Sequence, residues 1–238
     1  MEIIYENDDF LAINKPAGLK VHDDGIKEEK TLTSWILTNY PQLKDVGEPL
    51  KLSNGKTIFK PGIVHRLDKD TSGIIIIAKN QNSYLEFKKL FKERNIQKIY
   101  WAFVYDEILW ETKIIEKNIG RSKGDFRKWT TIEKSIRGKK RDSKTSFELL
   151  KKNKTYSLIE AKPKTGRTHQ IRVHLKSINH PIVADKLYGG KRYKKDKNNL
   201  GFNRLALHAK NIKFIFQKQK YNLKAKLPND FQTALKQL

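Results

Sequence analysis

The chain has 238 residues, room for one large domain or two small ones, and sets 50 lysines and arginines against 26 acids for a net charge of +24. That excess points to a polyanionic partner, either nucleic acid or an acidic membrane surface. The absence of cysteine excludes disulfides, thiolate metal sites and cysteine nucleophiles.

Acids near Met1, where a secretion signal carries lysines, argue against such a signal. The apolar run from Ile74 to Ala78 falls far short of the ~20 residues of a membrane span. The expectation is a soluble, cytoplasmic protein that meets nucleic acid. In chain order, EIIYENDDFLAINKPAG reads as two short strands around an Asn-Asp-Asp turn, closed by Lys-Pro and Gly. TLTSWILTNYP predicts a helix capped by Thr31 and stopped before Pro41. Gly73 to Lys79 is short, continuously apolar and β-branched, the pattern of a strand covered on both faces. NSYLEFKKLFKE follows, with Leu85, Phe87, Leu90 and Phe91 at helical spacing. KIYWAFVYDEI alternates as a strand does, Tyr100, Ala102 and Val104 against Trp101, Phe103 and Tyr105. KTSFELLKK and TYSLIEAKP predict two more strands with Lys-Asn-Lys as their turn. THQIRVHLKSINHP predicts a helix capped by Thr168 and ending before Pro181. RLALHAKNIKFIF gives a last strand region and NDFQTALKQL a final helix. Strands outnumber helices and most neighbours are hairpin-connected, so the class is α+β with a large, mostly antiparallel sheet.

Composition shifts once, between Arg121 and Lys154, where thirteen lysines and arginines face four acids. This interval reads either as an exposed connection with solvated charge or as a surface that tracks phosphates. On the second reading Arg121, Arg127, Lys128, Arg137, Lys139, Lys140 and Arg141 displace counterions from a nucleic-acid backbone, and Trp129 offers a stacking platform. KLYGGKRYKKDK supplies a second basic loop, with Tyr188 and Tyr193 interleaved.

Two segments carry candidate chemistry. PGIVHRLDKDTSGIIIIAKN sets His65, Arg66, Asp68, Lys69 and Asp70 directly against the isoleucine run. The Asp-Lys-Asp-Thr-Ser-Gly stretch is compatible with a plain turn whose side chains bond local backbone. Turn formation does not require that density of ionisable groups, and a carboxylate there can act as nucleophile, base or metal ligand. In KPKTGRTHQIRVHLKS, Lys164, Arg167, His169, Arg172 and His174 crowd the start of the predicted helix. Arg172 is one helical turn beyond Thr168, as Leu175 is beyond Ile171, so a cation rises from the helix that carries the apolar stripe. The alternative is a helix start that binds phosphate through its N-terminus. Zinc fits poorly, because His169 and His174 are five apart and no cysteine assists. No P-loop and no G-x-S-x-G motif is present.

GIVHRLDKDTSGIIIIAK resembles the H-R-L-D-x-x-T-S-G motif of RluA-type pseudouridine synthases. NDDFLAINKPAGLKVH, QKIYWAFV, KTGRTHQIRVHL with HPIVADKLYG, RLALHAKNIKF and AKLPNDF agree with that family in order, so the resemblance covers nearly the whole chain. It implies an isomerase that breaks the N-glycosidic bond of a uridine in ribosomal or transfer RNA, turns the uracil and rejoins it through C5. It also implies the pseudouridine synthase fold: a large, mixed, mostly antiparallel sheet with flanking helices and loops around a central RNA-binding cleft. The expected arrangement is one catalytic domain over residues 1–238, with no accessory RNA-binding domain before it, working as a monomer without metal or cofactor. By the same resemblance Asp68 is the essential aspartate, Tyr100 lies against the target base, and Arg172 pairs with the aspartate. Arg66 enters the RNA where the base leaves, Leu67 and Ile171 wall the pocket, and Arg167 and His169 contact substrate. Trp129 stands where relatives tend to carry methionine. The rival readings are an inactive RNA-binding or ribosome-assembly factor of the same fold, and a DNA-binding or membrane-surface protein. The last accounts only for the charge.

Overall fold

The computed structural model describes residues 1–22, 29–51, 55 and 57–238. They form two compact units, Met1–Ile96 with Ala209–Lys226, and Gln97–His208 with Leu227–Leu238. In chain order the first stretch carries β1 (Glu2–Glu6), β2 (Phe10–Lys15), α1 (Leu32–Asn39), β3 (Leu50–Lys51), β4 (Thr57–Ile58), β5 (Ser72–Ala78) and α2 (Gln81–Lys92). There follow β6 (Gln97–Tyr105), β7 (Thr112–Glu116), β8 (Ile119–Ser122), β9 (Trp129–Thr130), β10 (Ile136–Arg141), β11 (Lys144–Lys152) and β12 (Tyr156–Pro163). The chain closes with α3 (Gln170–Ser177), α4 (Gly190–Lys195), β13 (Leu207–Phe216), β14 (Gln219–Lys224) and α5 (Asn229–Leu235).

In the first unit the strand order is β1-β2-β5-β13, with β14 paired to β13. Asn7 closes the β1–β2 turn by accepting the N–H groups of Asp9 and Phe10 at 3.0 and 2.8 Å. β2 and β5 then pair without a slip from Phe10–Ala78 to Lys15–Gly73. Every residue of β5 is buried, as its unbroken apolar sequence predicts. α2 begins where the Asn80 side chain accepts the Ser83 N–H at 2.8 Å. It lays Phe87 against Phe10, Phe214 and Phe216, with ring centroids 5.3, 5.4 and 4.6 Å apart. α1 starts with a reciprocal box, Thr31 Oγ1 accepting from Ser34 N–H at 3.1 Å and Ser34 Oγ from Thr31 N–H at 2.9 Å.

The second unit orders β6-β12-β11-β7, all neighbours antiparallel. Asn153 makes the β11–β12 turn by accepting from Thr155 and Tyr156 N–H at 2.9 and 2.8 Å. Its core gathers Phe103, Phe147, Leu158, Ile159, Phe202 and Phe231, and α3 contributes Ile171 and Leu175. A forked ion pair from Arg204 to Asp230, 2.7 and 2.9 Å, fixes α5. A separate three-stranded sheet runs β10-β8-β9.

Several expectations are corrected. Leu85 faces solvent, and the buried α2 positions are Ser83, Tyr84 and Phe87. The 3.6-residue period admits either stripe, and the aromatic one fills more of the core. Thr168 caps nothing: α3 starts at Gln170 behind His169, whose φ is 55° and whose side chain makes no capping bond, although it does end before Pro181, at Ser177. Part of the basic interval is the β8–β9–β10 sheet rather than a loose connection. Part of the second basic loop is α4, and Tyr188 is buried there. β14 has no Asn-Gly signal; its hairpin turns through left-handed Gln217 and Lys218 (φ 47° and 64°).

Gly73 ties sequence to packing most directly. Its φ is 112°, and an added Cβ would lie 2.2 Å from the Ala209 carbonyl oxygen on β13. Gly73→Ala is therefore expected to cost more than ~2 kcal/mol, read as a lower urea midpoint. A midpoint like that of the parent would contradict this packing.

Candidate active site and nucleic-acid interface

The first unit carries the His65–Asp70 segment, and its anchor is Lys15. This side chain is fully buried. Its ammonium donates to the carbonyls of Pro16, Leu19 and Lys69 at 2.8, 2.8 and 3.1 Å. An ammonium has three N–H donors, and a buried charge is tolerated only when such donors are met. Gly18 N–H donates to the same Lys69 carbonyl at 2.9 Å. The Asn-Lys-Pro-Ala-Gly stretch is thus bound to the loop that carries Asp68.

Along that loop the five ionisable residues divide. His65 is structural: Nε2 accepts the Ile76 N–H at 2.9 Å, and the ring stacks on Phe91 at 4.6 Å. Accepting at Nε2 holds the imidazole in its Nδ1–H form. Lys69 turns outward to Glu29 at 3.2 Å, while Asp70 is exposed. Arg66 is exposed, its Nη1 3.4 Å from His22 Nε2. Leu67 is buried and seats the loop. Asp68 is half-buried at the head of a turn whose Thr71 N–H donates to the Asp68 carbonyl at 3.1 Å.

In the second unit Arg172 rises from α3, as its sequence position implied. Its Nε and Nη2 donate to Asp185 Oδ2 and Oδ1 at 2.8 and 2.9 Å. Asp185 is buried and also accepts from Leu187 and Tyr188 N–H at 2.9 and 3.0 Å. The Arg172 guanidinium lies over the Tyr188 ring at 4.9 Å. The Tyr188 hydroxyl accepts the Trp129 N–H at 2.8 Å and is 2.9 Å from His169 Nδ1. Sequence reasoning did not single out Asp185 or Lys15. Their signal was an ionisable residue inside an otherwise apolar or turn-forming stretch. Tyr100 is half-buried on β6, opposite Ala161 of β12. Ile171 is buried. Arg167 Nε donates to the Asp142 carbonyl at 3.1 Å, and its N–H donates to Gln170 Oε1 at 3.0 Å.

Among the predicted phosphate-binding residues, Arg127 is held by Asp125 through Nε and Nη2 at 3.1 and 3.0 Å. Lys128 approaches the same carboxylate at 3.6 Å and Lys140 reaches Glu133 at 2.9 Å. Hydrogen bonding from Arg127 keeps Asp125 well below the usual carboxylate range. Arg137, Lys139 and Arg141 are exposed on β10 with Lys140. Trp129 is half-buried against Ile119, Val173 and Tyr188, with Arg121 over its ring at 5.4 Å.

The family model described as RNA pseudouridylate synthase matches residues 9–177. The chain belongs to the RNA pseudouridylate synthase family. It is 39% identical over 242 residues to the ribosomal large subunit pseudouridine synthase C of Buchnera aphidicola subsp. Baizongia pistaciae, covering 99% of this chain and 70% of that one. It is 34% identical to the ribosomal large subunit pseudouridine synthase D of Neisseria meningitidis, covering 99% of this chain but only 60% of the relative. It thus spans little more than half of some curated relatives. Human RNA Pseudouridylate Synthase Domain Containing 1 superposes with a TM-score of 0.75 at 25% identity, covering 95% of this chain and 83% of that one. Human RNA Pseudouridylate Synthase Domain Containing 4, at 22% identity, shares the fold with a TM-score of 0.74, covering 99% and 92%. The expected fold class, with its large, mostly antiparallel sheet, is therefore found. Asp68, Tyr100 and Arg172 lie inside the family match, and Asp185 and Tyr188 lie beyond it.

His174, beside Arg172 on α3, has a different task. Ser143 Oγ donates to the Lys117 carbonyl at 2.5 Å, so at 2.8 Å it accepts from His174 Nε2–H. Nδ1 then accepts from the Thr145 hydroxyl at 3.0 Å, which itself accepts from Gln170 Nε2 at 2.9 Å. Burial, first of all, pushes the His174 pKa down to about 4. The folded value lies below the unfolded one of ~6.5, so the protein loses stability as pH falls from about 6.5 towards 4. The loss expected by pH 4 is of order 3 kcal/mol. Urea midpoints across this range check it: His174→Gln should flatten the profile, and an unchanged profile would exclude His174 as its source.

Proposed function

We propose that the chain is an RNA pseudouridine synthase that turns uridine into pseudouridine, with Asp68 at the centre of the chemistry. The observation that carries this reading is the half-buried Asp68 in its H-R-L-D-K-D-T-S-G loop, fixed from below by the buried Lys15 ammonium and lying inside the family match. The reaction is a redox-neutral isomerisation: the C1′–N1 bond breaks, a C1′–C5 bond forms, and the proton lost from C5 is balanced by one gained at N1. Its demands are an ionised carboxylate, acting either on the sugar or as a base at C2′, and a surface that holds a flipped uracil. Flipping a base out of a stack costs a few kcal/mol, and the exposed Arg66 is the side chain proposed to occupy the vacated space.

Arg172 is proposed to serve the reaction as its cation, the role that its place in the family motif implies. Asp185 and the Tyr188 ring hold Arg172 in one orientation, which suits that role. Tyr100 is proposed to lie against the uracil, with Arg167 and His169 as substrate contacts. The relatives' names favour large-subunit ribosomal RNA over transfer RNA as the substrate, which in turn favours a cytoplasmic site of action.

Mapping pseudouridine in ribosomal RNA from cells with and without this chain tests the assignment. At least one position should lose its modification, and identical maps would overturn it. In vitro, Asp68→Asn should lose at least ~10³-fold in turnover while binding RNA within a few-fold of the parent. Arg172→Lys keeps the charge but loses the fork that grips Asp185. A fall of ~10–100-fold in kcat is expected, and parent-like kinetics would remove the orientation argument.

A further inference from the structure

Trp129 was expected to be the stacking platform, but it is half-buried and packed on Tyr188. The exposed aromatic of this sheet is Phe126, at 74% accessibility, on the tip that joins β8 to β9. That tip is tightly built. Lys128 N–H donates to the Asp125 carbonyl at 2.9 Å, closing a turn with Phe126 as its second residue. The Asp125 carboxylate accepts from Arg127 N–H at 3.0 Å and from the Arg127 guanidinium. From β8, Arg121 Nη1 donates to the Phe126 carbonyl at 2.9 Å. A large apolar ring is thus displayed to solvent on a rigid mount, where burial cannot account for it.

Its surroundings indicate a ligand. Between residues 119 and 141 nine lysines and arginines face two acids. Arg137 and Arg121 are direct register partners across β10 and β8, and Arg121 is the partner of Trp129 on β9. Like charges opposite one another in a sheet are destabilising, so the fold bears a cost that a polyanion would relieve. An isolated ring with cations on either side matches a nucleobase with its flanking phosphates. A membrane-inserting surface would need a larger apolar area.

We propose that Phe126 stacks on an unpaired nucleobase of the RNA substrate, while Arg121, Lys123 and Arg137 contact the neighbouring phosphates. This rests on the synthase reading above and adds where the RNA lies and what reads it. Aromatic stacking tolerates any base, so the tip would select single-stranded or looped RNA by shape rather than by sequence.

The test uses the full chain with Asp68→Asn, so that RNA is bound but not turned over. Fluorescence anisotropy would follow a labelled RNA stem-loop across a salt series. Phe126→Ala should weaken binding ~5–100-fold without changing the salt slope, and Phe126→Trp should restore it. Arg121→Gln with Arg137→Gln should flatten the slope by about 1–2. Replacing loop nucleotides singly by abasic residues should reveal one at which Phe126→Ala no longer matters. Parent-like RNA binding by Phe126→Ala overturns the proposal. So does a loss confined to binding of phosphatidylserine vesicles, or a change confined to self-association in ultracentrifugation. If the Asp68→Asn parent itself binds no RNA, the synthase reading falls with it. Normal binding that is indifferent to Phe126 sinks only the stacking claim.

Discussion

A buried ammonium governs the loop on which the proposed chemistry depends. Lys15 ends a strand that is paired residue for residue with β5, so its backbone has little freedom. From there its side chain collects three carbonyls, one of them that of Lys69 in the Asp68 loop. Removing such a charge from water carries a penalty of several kcal/mol, which the three acceptors offset only in this arrangement. A loop that moves breaks those bonds and exposes the cost. The constraint is one of position: the Lys69 carbonyl is committed inward, while Arg66 and Asp70 of the same loop remain exposed.

The second unit solves a related problem with the opposite sign. There the buried charge is the Asp185 carboxylate, which accepts two backbone N–H groups of its own loop and two N–H groups of Arg172. Those four donors satisfy both oxygens of the buried side chain. They also explain why the residue on α3 is arginine. A lysine offers a point charge, whereas a planar fork reaches both carboxylate oxygens and sits over the Tyr188 ring. In each unit one buried ionisable side chain sets the backbone or side-chain geometry of a residue proposed for the reaction.

Regular elements were legible where the sequence carried redundant signals. β5 shows an unbroken β-branched run, α1 has its Thr31 cap, and the β11–β12 turn has its asparagine. The Asp68 loop and Arg172 were legible from charge density beside apolar stretches and from the family resemblance. What escaped depended on contacts distant in sequence. The left-handed start of α3 at His169 leaves Thr168 without a capping role, and no local pattern marks it. Instead Gln170 closes that start, accepting from Thr165 Oγ1 at 2.7 Å and from Arg167 N–H at 3.0 Å. Lys15 and Asp185 escaped for a related reason, since each takes a partner from a distant segment, the Lys69 carbonyl and the Arg172 guanidinium. Leu85 misled because a helix period fixes a stripe only to within one residue.

The net charge of +24 takes on a different meaning once it is placed. Some cations are already answered, such as Arg127 by Asp125 and Arg204 by Asp230, and these serve the fold. The Arg121–Arg137 row is arranged against the fold's own interest, with like charges paired across adjacent strands. A ligand that binds only the native state stabilises it by an amount that grows with the logarithm of its concentration relative to Kd. A polyanion lying along β8 and β10 would therefore remove a repulsion as well as gain contacts, so part of its binding energy is already stored in the sheet. Salt weakens both effects together: it screens the repulsion in the free protein and reduces the counterion release that drives association. The share of the charge excess that lies on β8 and β10 is thus proposed to be prepared for a polyanion rather than for the fold.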